Sequence, residues 1–171
     1  MLQYIYLDKK TKKKFQKVPK KGMLNENICN GCTDCYMRCS GEISFSRLEY
    51  QRIVGYLQNK ADKTAALKIL HQNKTRQWFE DITYDSCLFL DVNTNLCLIY
   101  ECRPLVCRLF GEVRHLPCPN GKITEFIDAE DIIDGYLRNN ELNSFVDWMA
   151  MDDVFNFEDL IDFDNDDFYE V

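Results

Sequence analysis

Cys29-Asn-Gly-Cys32-Thr-Asp-Cys35-Tyr-Met-Arg-Cys39 spaces four cysteines as C-x2-C-x2-C-x3-C. Residues 26–42 carry neither the apolar period of a helix nor the alternation of a strand, and read as a loop shaped around something. Five further cysteines follow at Cys87, Cys97, Cys102, Cys107 and Cys118, making nine in 171 residues. Thiolates this crowded cannot avoid one another, and a bound metal turns their proximity into stability. The fold is therefore expected to be organised in part by metal–thiolate bonds.

The rest of the composition bounds that expectation. A length of 171 residues fits one domain over 1–171. The hydrophobic fraction of 46% suffices for a true core, so disulfides are not needed to hold the chain together. No apolar run reaches the length of about 20 residues that a membrane helix needs. Met1-Leu2-Gln3-Tyr4-Ile5-Tyr6-Leu7-Asp8 lacks the basic start and cleavage site of a secretory signal. The expected location is the cytoplasm, where clustered cysteines bind metal more often than they pair. The odd cysteine count also fits a closed disulfide framework poorly.

Charge is unevenly spread over a net −7. Residues 9–21 hold eight lysines and no acid, inside a basic N-terminal hairpin expected over 1–22. Lysines on a hairpin edge discourage edge-to-edge pairing. With an acidic chain and no recognition-helix pattern beside it, nucleic acid is not an expected partner. Residues 141–171 hold eleven acids and no lysine or arginine. The acidic tail, 152–171, could fold back on the lysines, meet a protein partner or keep the chain soluble.

Local signals give the remaining elements. Gln3–Leu7 and Lys14–Val18 read as two short strands. Ser46-Arg-Leu-Glu49 is a capping box, followed by Tyr50, Ile53, Val54 and Leu57 on one helix face. A second helix is expected over Asp62–His71, with Ala66, Ile69 and Leu70 inward. Cys87–Leu90 and Cys97–Tyr100 flank Asp91–Leu96 as a hairpin or tight loop that brings Cys87 and Cys97 together. Pro104 suits the start of a short helix over Leu105–Phe110, closed by Gly111. Asp128 is placed to cap a helix presenting Ile132, Ile133, Tyr136 and Leu137, and a last helix covers about Glu141–Met151. Trp78, Phe79 and Trp148 are expected to pack the core or cover the metal loops. The class is mainly α, a small α+β fold in which irregular cysteine-rich loops pack on a few helices beside short β-hairpins.

Spacing alone leaves the metal open. Zinc takes four thiolates, usually from separated C-x2-C pairs. The C-x2-C-x2-C-x3-C run is that of bacterial ferredoxins, whose fourth cysteine serves a second cluster. Here Ser40 replaces the following proline and there is no second run, so a ferredoxin fold is not expected.

The second window, Cys87-Leu-Phe-Leu…Cys97-Leu-Ile-Tyr-Glu-Cys-Arg103-Pro104-Leu-Val-Cys107-Arg108-Leu-Phe110…Cys118, resembles the YkgJ-type cysteine-cluster proteins. Their C-x-I-Y-x-x-R-P-x-x-C-R-x-F pattern is matched throughout. In two places the chain departs: the first motif normally ends in adjacent cysteines, whereas Tyr36 follows Cys35, and Cys102 fills a variable position and reads as a spare thiol. The resemblance implies a zinc- or iron-chelating domain with Cys29, Cys32, Cys35, Cys39, Cys87, Cys97, Cys107 and Cys118 as ligands. Eight thiolates suit two four-cysteine sites, a cluster plus a zinc, or one cluster with the other cysteines structural. The implied cofactor is an iron–sulfur cluster of the [4Fe-4S] kind, for electron transfer or within an enzyme assembly. The alternative is Zn2+ in a binding module without catalysis. Flagellin lysine N-methylases carry a related cysteine pattern, so protein lysine methylation is implied by analogy alone.

Arg103 and Arg108 flank Cys107 and are expected to offset the negative charge of a thiolate-bound cofactor. A plain Arg–carboxylate pair at the helix start is the other reading. His115 could replace one thiolate, while His71 reads as a surface histidine. The chain has no glycine-rich phosphate loop, nucleophile elbow or calcium loop.

Overall fold

A computed structural model describes residues 34–121 and 128–162. The expected strands in 1–22, the end of the acidic tail, Cys29 and Cys32 lie outside the described residues. The architecture is mainly helical with short antiparallel strand pairs, as the sequence led one to expect.

Helix α1, Arg47–Asn59, forms where the capping box and apolar stripe predicted it. The Glu49 carboxylate reaches back to the Ser46 amide at 3.2 Å and accepts the Ser46 hydroxyl at 3.1 Å. Tyr50, Ile53, Val54 and Leu57 are all buried. Helix α2, Lys63–Leu70, starts at Asp62, whose side chain accepts from the Ala65 amide, and buries Ala66 and Leu70. Strand β1, Phe45–Ser46, pairs antiparallel with a strand at Leu142–Asn143. The helix expected over Glu141–Met151 is accordingly shorter, and it is not the last, since another follows in the stretch expected to be an acidic tail. The shortened helix spans Phe145–Met151, because Ser144 and Asp147 form a second capping box and the residues before it extend to meet β1.

The main core joins α1 and the helix over Phe145–Met151 to Phe89, Leu90 and Ile99 from the cysteine hairpin. Phe145 stacks edge-on against Phe89 at 5.0 Å and lies tilted at 5.3 Å from Tyr50. Trp148 is buried and its indole N–H donates to the Phe45 carbonyl at 2.8 Å. A final helix, Phe157–Asp162, adds Leu160 and Ile161 to the same core, with the Gln58 amide bonded to the Leu160 carbonyl at 2.8 Å. Each fully buried side chain of this size contributes about 1.5–3 kcal/mol.

A smaller core gathers Leu105, Leu109, Val113, Ile132, Ile133 and Tyr136. It lies between the helix over Ala129–Asn139 and a short helix at Leu105–Arg108. The latter is shorter than Leu105–Phe110; Pro104 precedes it and Gly111, at φ +89°, follows the turn. Leu137 points to solvent rather than inward. Glu49 links the two cores: one oxygen accepts the Tyr136 hydroxyl and the other accepts the Leu105 amide at 2.7 Å. A buried carboxylate is tolerable only when satisfied in this way.

Sequence reading missed the hairpin of Thr75–Phe79 and Ile82–Asp85. Phe79 and Ile82 face each other near its tip, and Phe79 is 64% exposed instead of lying in the core. The β-rich stretch Thr75-Arg-Gln-Trp-Phe before the polar Glu80-Asp81 turn was the available signal.

Candidate metal centre

Cys39 follows a 3-10 helix at Asp34–Arg38, its amide donating to the Tyr36 carbonyl at 3.0 Å. From there the chain runs antiparallel to residues 85–87. Ser40 bridges Ser86, the Gly41 amide bonds the Asp85 carbonyl at 2.6 Å, and the Cys87 amide bonds the Cys39 carbonyl at 2.8 Å. Gly41 has φ +69°, a conformation glycine adopts without strain. Two cysteines 48 positions apart in the sequence thus become backbone neighbours.

The hairpin expected around Asp91–Leu96 is present, with Leu90 paired to Cys97 and Asp91 to Leu96. Its turn is held by Asp91, which accepts the Asn93 amide at 3.0 Å, the Thr94 hydroxyl at 2.6 Å and the Gln72 amide at 2.7 Å. Lys74 buttresses the other side through bonds to the Ile69 and Leu90 carbonyls, and burial lowers its pKa. A cleft of about 360 Å³ opens beside Cys87, lined by Ile43, Phe45, Lys74, Phe89 and Phe145 among others.

Four thiols meet inside this frame. Burial pushes Cys39, Cys87 and Cys97 each up to about 11, and each also feels a neighbouring thiolate. Cys39 feels Cys87 and then Cys35; Cys87 feels Cys97; Cys97 feels Cys39. Cys107 is raised well above the ordinary thiol value by burial and then by Cys87, Cys97 and Cys39 together. Without a cation these four sulfurs hold their protons at neutral pH. Groups opposing this are already in position: the Phe89 and Leu90 amides at Cys87, the Ile99 amide at Cys97, and Arg103 at Cys39, Cys97 and Cys107.

The two arginines occupy different surroundings. Arg103 stacks over the Tyr100 ring at 3.9 Å, and its Nε donates to the Tyr100 carbonyl at 3.2 Å. That cation–π contact holds the charge beside three thiols. Burial lowers the pKa of Arg108, and Glu49 is the charge that most opposes the shift. Arg108 therefore keeps company with a carboxylate as well as with Cys107.

The remaining cysteines fall outside the four. Cys102 is buried in the main core, its pKa raised to about 12 by burial, with Arg52 opposing and Cys97 adding to the shift. Cys35 and Cys118 are half-buried. Their loops are joined by a bond of 2.6 Å from the Asn120 amide to the Asp34 carboxylate. His115 turns its Nδ1 toward Glu130 at 3.4 Å, and His71 bonds Glu158 at 2.8 Å on the surface. Among the described residues no three ligand-type side chains already stand close enough to share a single ion. The donor set still fits a thiolate-bound centre: four neighbouring thiols, Cys87 buried and the other three half-buried, three amides and a guanidinium acting on them, and no competing carboxylate among the charges acting on those sulfurs.

No helix among the described residues is long and apolar enough to cross a membrane. A family model described as "CxxCxxCC: Putative zinc- or iron-chelating domain" matches residues 28–133, more than half of the 171. No curated protein matches the chain. No solved structure matches it either.

Proposed function

Because the chain belongs to that family of zinc- or iron-chelating domains, we propose that it holds an iron–sulfur cluster and serves electron transfer, alone or within an enzyme assembly. The observation that supports this reading is that Cys39, Cys87, Cys97 and Cys107 lie within electrostatic reach of one another, on a frame set by the Cys39–Cys87 backbone bond and the Leu90–Cys97 pairing. Each cysteine comes from a separate stretch of chain, Cys97 from a strand and Cys107 from a short helix, and none of the four belongs to a C-x2-C pair with another. Structural zinc usually draws on such pairs. An iron–sulfur cluster needs only four thiolates that converge from any direction, with hydrogen bonds to sulfur and nearby charge setting its potential.

When bound, the cluster supplies a one-electron couple. The chain's own groups do the rest. Arg103, held by Tyr100, offsets the negative charge gathered on the thiolates. The Phe89, Leu90 and Ile99 amides donate to sulfur and favour the thiolate form. The apolar cleft beside Cys87 lets a redox partner or small molecule approach. A basic protein partner would be drawn to the acidic residues of 152–171, and the cytoplasm is the compartment that keeps these thiols reduced.

Purification without oxygen tests the reading. The expected protein is brown, bleaches reversibly with dithionite, and contains iron and acid-labile sulfide in equal amounts. Colourless protein carrying stoichiometric zinc would instead make the chain a zinc-stabilised binding module.

A further inference from the structure

We propose that Arg76 is a positioning residue for the metal centre: its side chain latches the loop that carries Cys35 and Cys39 onto the hairpin that carries Cys97. This role rests on the metal-binding function above and deepens it, naming a residue outside both cysteine windows that keeps the thiols gathered.

The loop is one that packing alone does not fix. The 3-10 turn Asp34–Arg38 has no buried residue. The backbone bonds to residues 85–87 start at Cys39 and hold the chain that follows it, through the Cys87 amide to the Cys39 carbonyl and the Gly41 amide to the Asp85 carbonyl. Ahead of them Tyr36 lies half-buried against the main core, and the Cys39 amide donates to its carbonyl at 3.0 Å. Cys35 directly precedes Tyr36. Both thiols of this loop therefore follow wherever the Tyr36 ring is held.

Arg76 holds that ring. It lies in the strand Thr75–Phe79, opposite Tyr84. Its guanidinium carbon sits over the Tyr36 ring, 5.4 Å from the ring centre, within the range of a cation–π contact. The same guanidinium donates through Nη2 to the Val92 carbonyl and to Asn95 Oδ1, each at 2.9 Å. Both acceptors belong to the turn between Cys87 and Cys97, and Asn95 lies two residues before Cys97. A planar fork can rest on a ring and donate from its edge at once, which a lysine ammonium cannot do. The turn keeps its own shape, because the Asp91 carboxylate already gathers the Asn93 amide and the Thr94 hydroxyl. Arg76 thus joins two cysteine-bearing segments that are each folded by their own bonds. Arg103 differs, since its charge acts directly on Cys39, Cys97 and Cys107. Arg76 works through the place of the Tyr36 ring. A thiol leaves its metal more often when its loop opens more often, so the latch sets the rate of metal release.

Release of the bound metal into a colorimetric chelator, from protein purified without oxygen, tests the latch. Arg76→Met is expected to release metal about tenfold faster, as loss of a group supporting a metal ligand does. Tyr36→Leu should quicken release equally, and the double variant should be no faster than either, because both remove one shared contact. Tyr36→Phe keeps a ring and should release at the original rate, whereas Arg76→Lys should behave as Arg76→Met. Amide exchange in Arg76→Met should rise over residues 35–39 and stay unchanged over 90–97. An unaltered release rate in Arg76→Met overturns the proposal. So do effects that multiply in the double variant, a silent Tyr36→Leu, or exchange that rises over 90–97 alone, any of which would leave Arg76 serving only the turn. The chelator reads iron and zinc alike, so zinc in place of iron overturns the iron–sulfur reading and leaves the latch to stand or fall by its rates. A chain that holds neither metal overturns both.

Discussion

Ile53 and Leu57 lie in an apolar core shared with the Phe145–Met151 and Phe157–Asp162 helices, whereas Cys39, Cys87 and Cys97, at the margin of that core, raise one another's cost of ionising together with Cys107. The first arrangement is stable as it stands, because water gains nothing by entering it. The second is not, because each buried thiolate raises the cost of ionising the next. Its parts are positioned by backbone bonds, and in the function proposed above a cation replaces the thiol protons. One region is held by packing and the other is arranged for a ligand.

The largest effect should come from breaking the second region without touching the first. Cys107→Ser removes a thiol that three others act on. It is expected to abolish metal binding by these four thiols, and amide exchange should rise over residues 85–107 while α1 keeps its protection. Iron content and exchange mass spectrometry read the two regions separately. Equal loss of protection in both would show that the helical core also depends on metal.

Next comes the residue that joins them. Glu49→Gln leaves the shape of the site but removes the charge that Arg108, Tyr136 and the Leu105 amide are arranged around. Breaking a buried charged network costs about 3–5 kcal/mol, read as a lower denaturation midpoint. Metal affinity should fall as well, because Leu105 begins the helix that carries Cys107. A drop in stability with unchanged metal affinity would mean that the two regions are mechanically independent.

What could be read in the sequence follows the same boundary. Helix α1 was legible because its cap and its stripe are local, both written within twelve residues. The hairpin between Cys87 and Cys97 was legible because Asp91-Val-Asn-Thr-Asn is turn chemistry. The second role of Glu49 was not, since its partner Tyr136 lies 87 positions away and nothing local marks it. The strand at Leu142–Asn143 was missed for a similar reason: two residues carry no periodicity, and only pairing with Phe45–Ser46 makes them extended. Cysteine types and spacings could be read as a ligand pool. Which thiols meet could not, because the pairing of residues 39–41 with 85–87 is a tertiary event.

Smaller changes sharpen the contrast. Ile53→Val should cost about 1 kcal/mol in chemical denaturation and leave metal content unchanged. Cys102→Ala tests the boundary itself, since that thiol lies in the apolar core yet feels Cys97 as a neighbour. It should also cost about 1 kcal/mol through the small cavity it leaves. Full iron content is expected, and iron loss in this variant would move Cys102 into the ligand set.

The smallest effect lies in the hairpin turn that presents Cys97. The Thr94 hydroxyl first, then the Gln72 amide, hold the Asp91 carboxyl down to about 2, against 3.8 for an ordinary aspartate. The folded value is the lower one, so the carboxylate favours the fold above pH 4, and this contribution is lost as pH falls toward 2. Asp91 is half-exposed, so solvent screening limits the contribution to below about 1 kcal/mol. At pH 4 an ordinary aspartate is roughly 40% protonated, whereas Asp91 should remain ionised. Its side-chain carboxyl carbon shift should therefore stay flat from pH 7 to 4. A shift moving with an ordinary midpoint would mean that the Thr94 and Gln72 bonds do not persist in solution. A flat shift in metal-free protein would show that this corner of the thiol region is set by its own hydrogen bonds before any metal arrives.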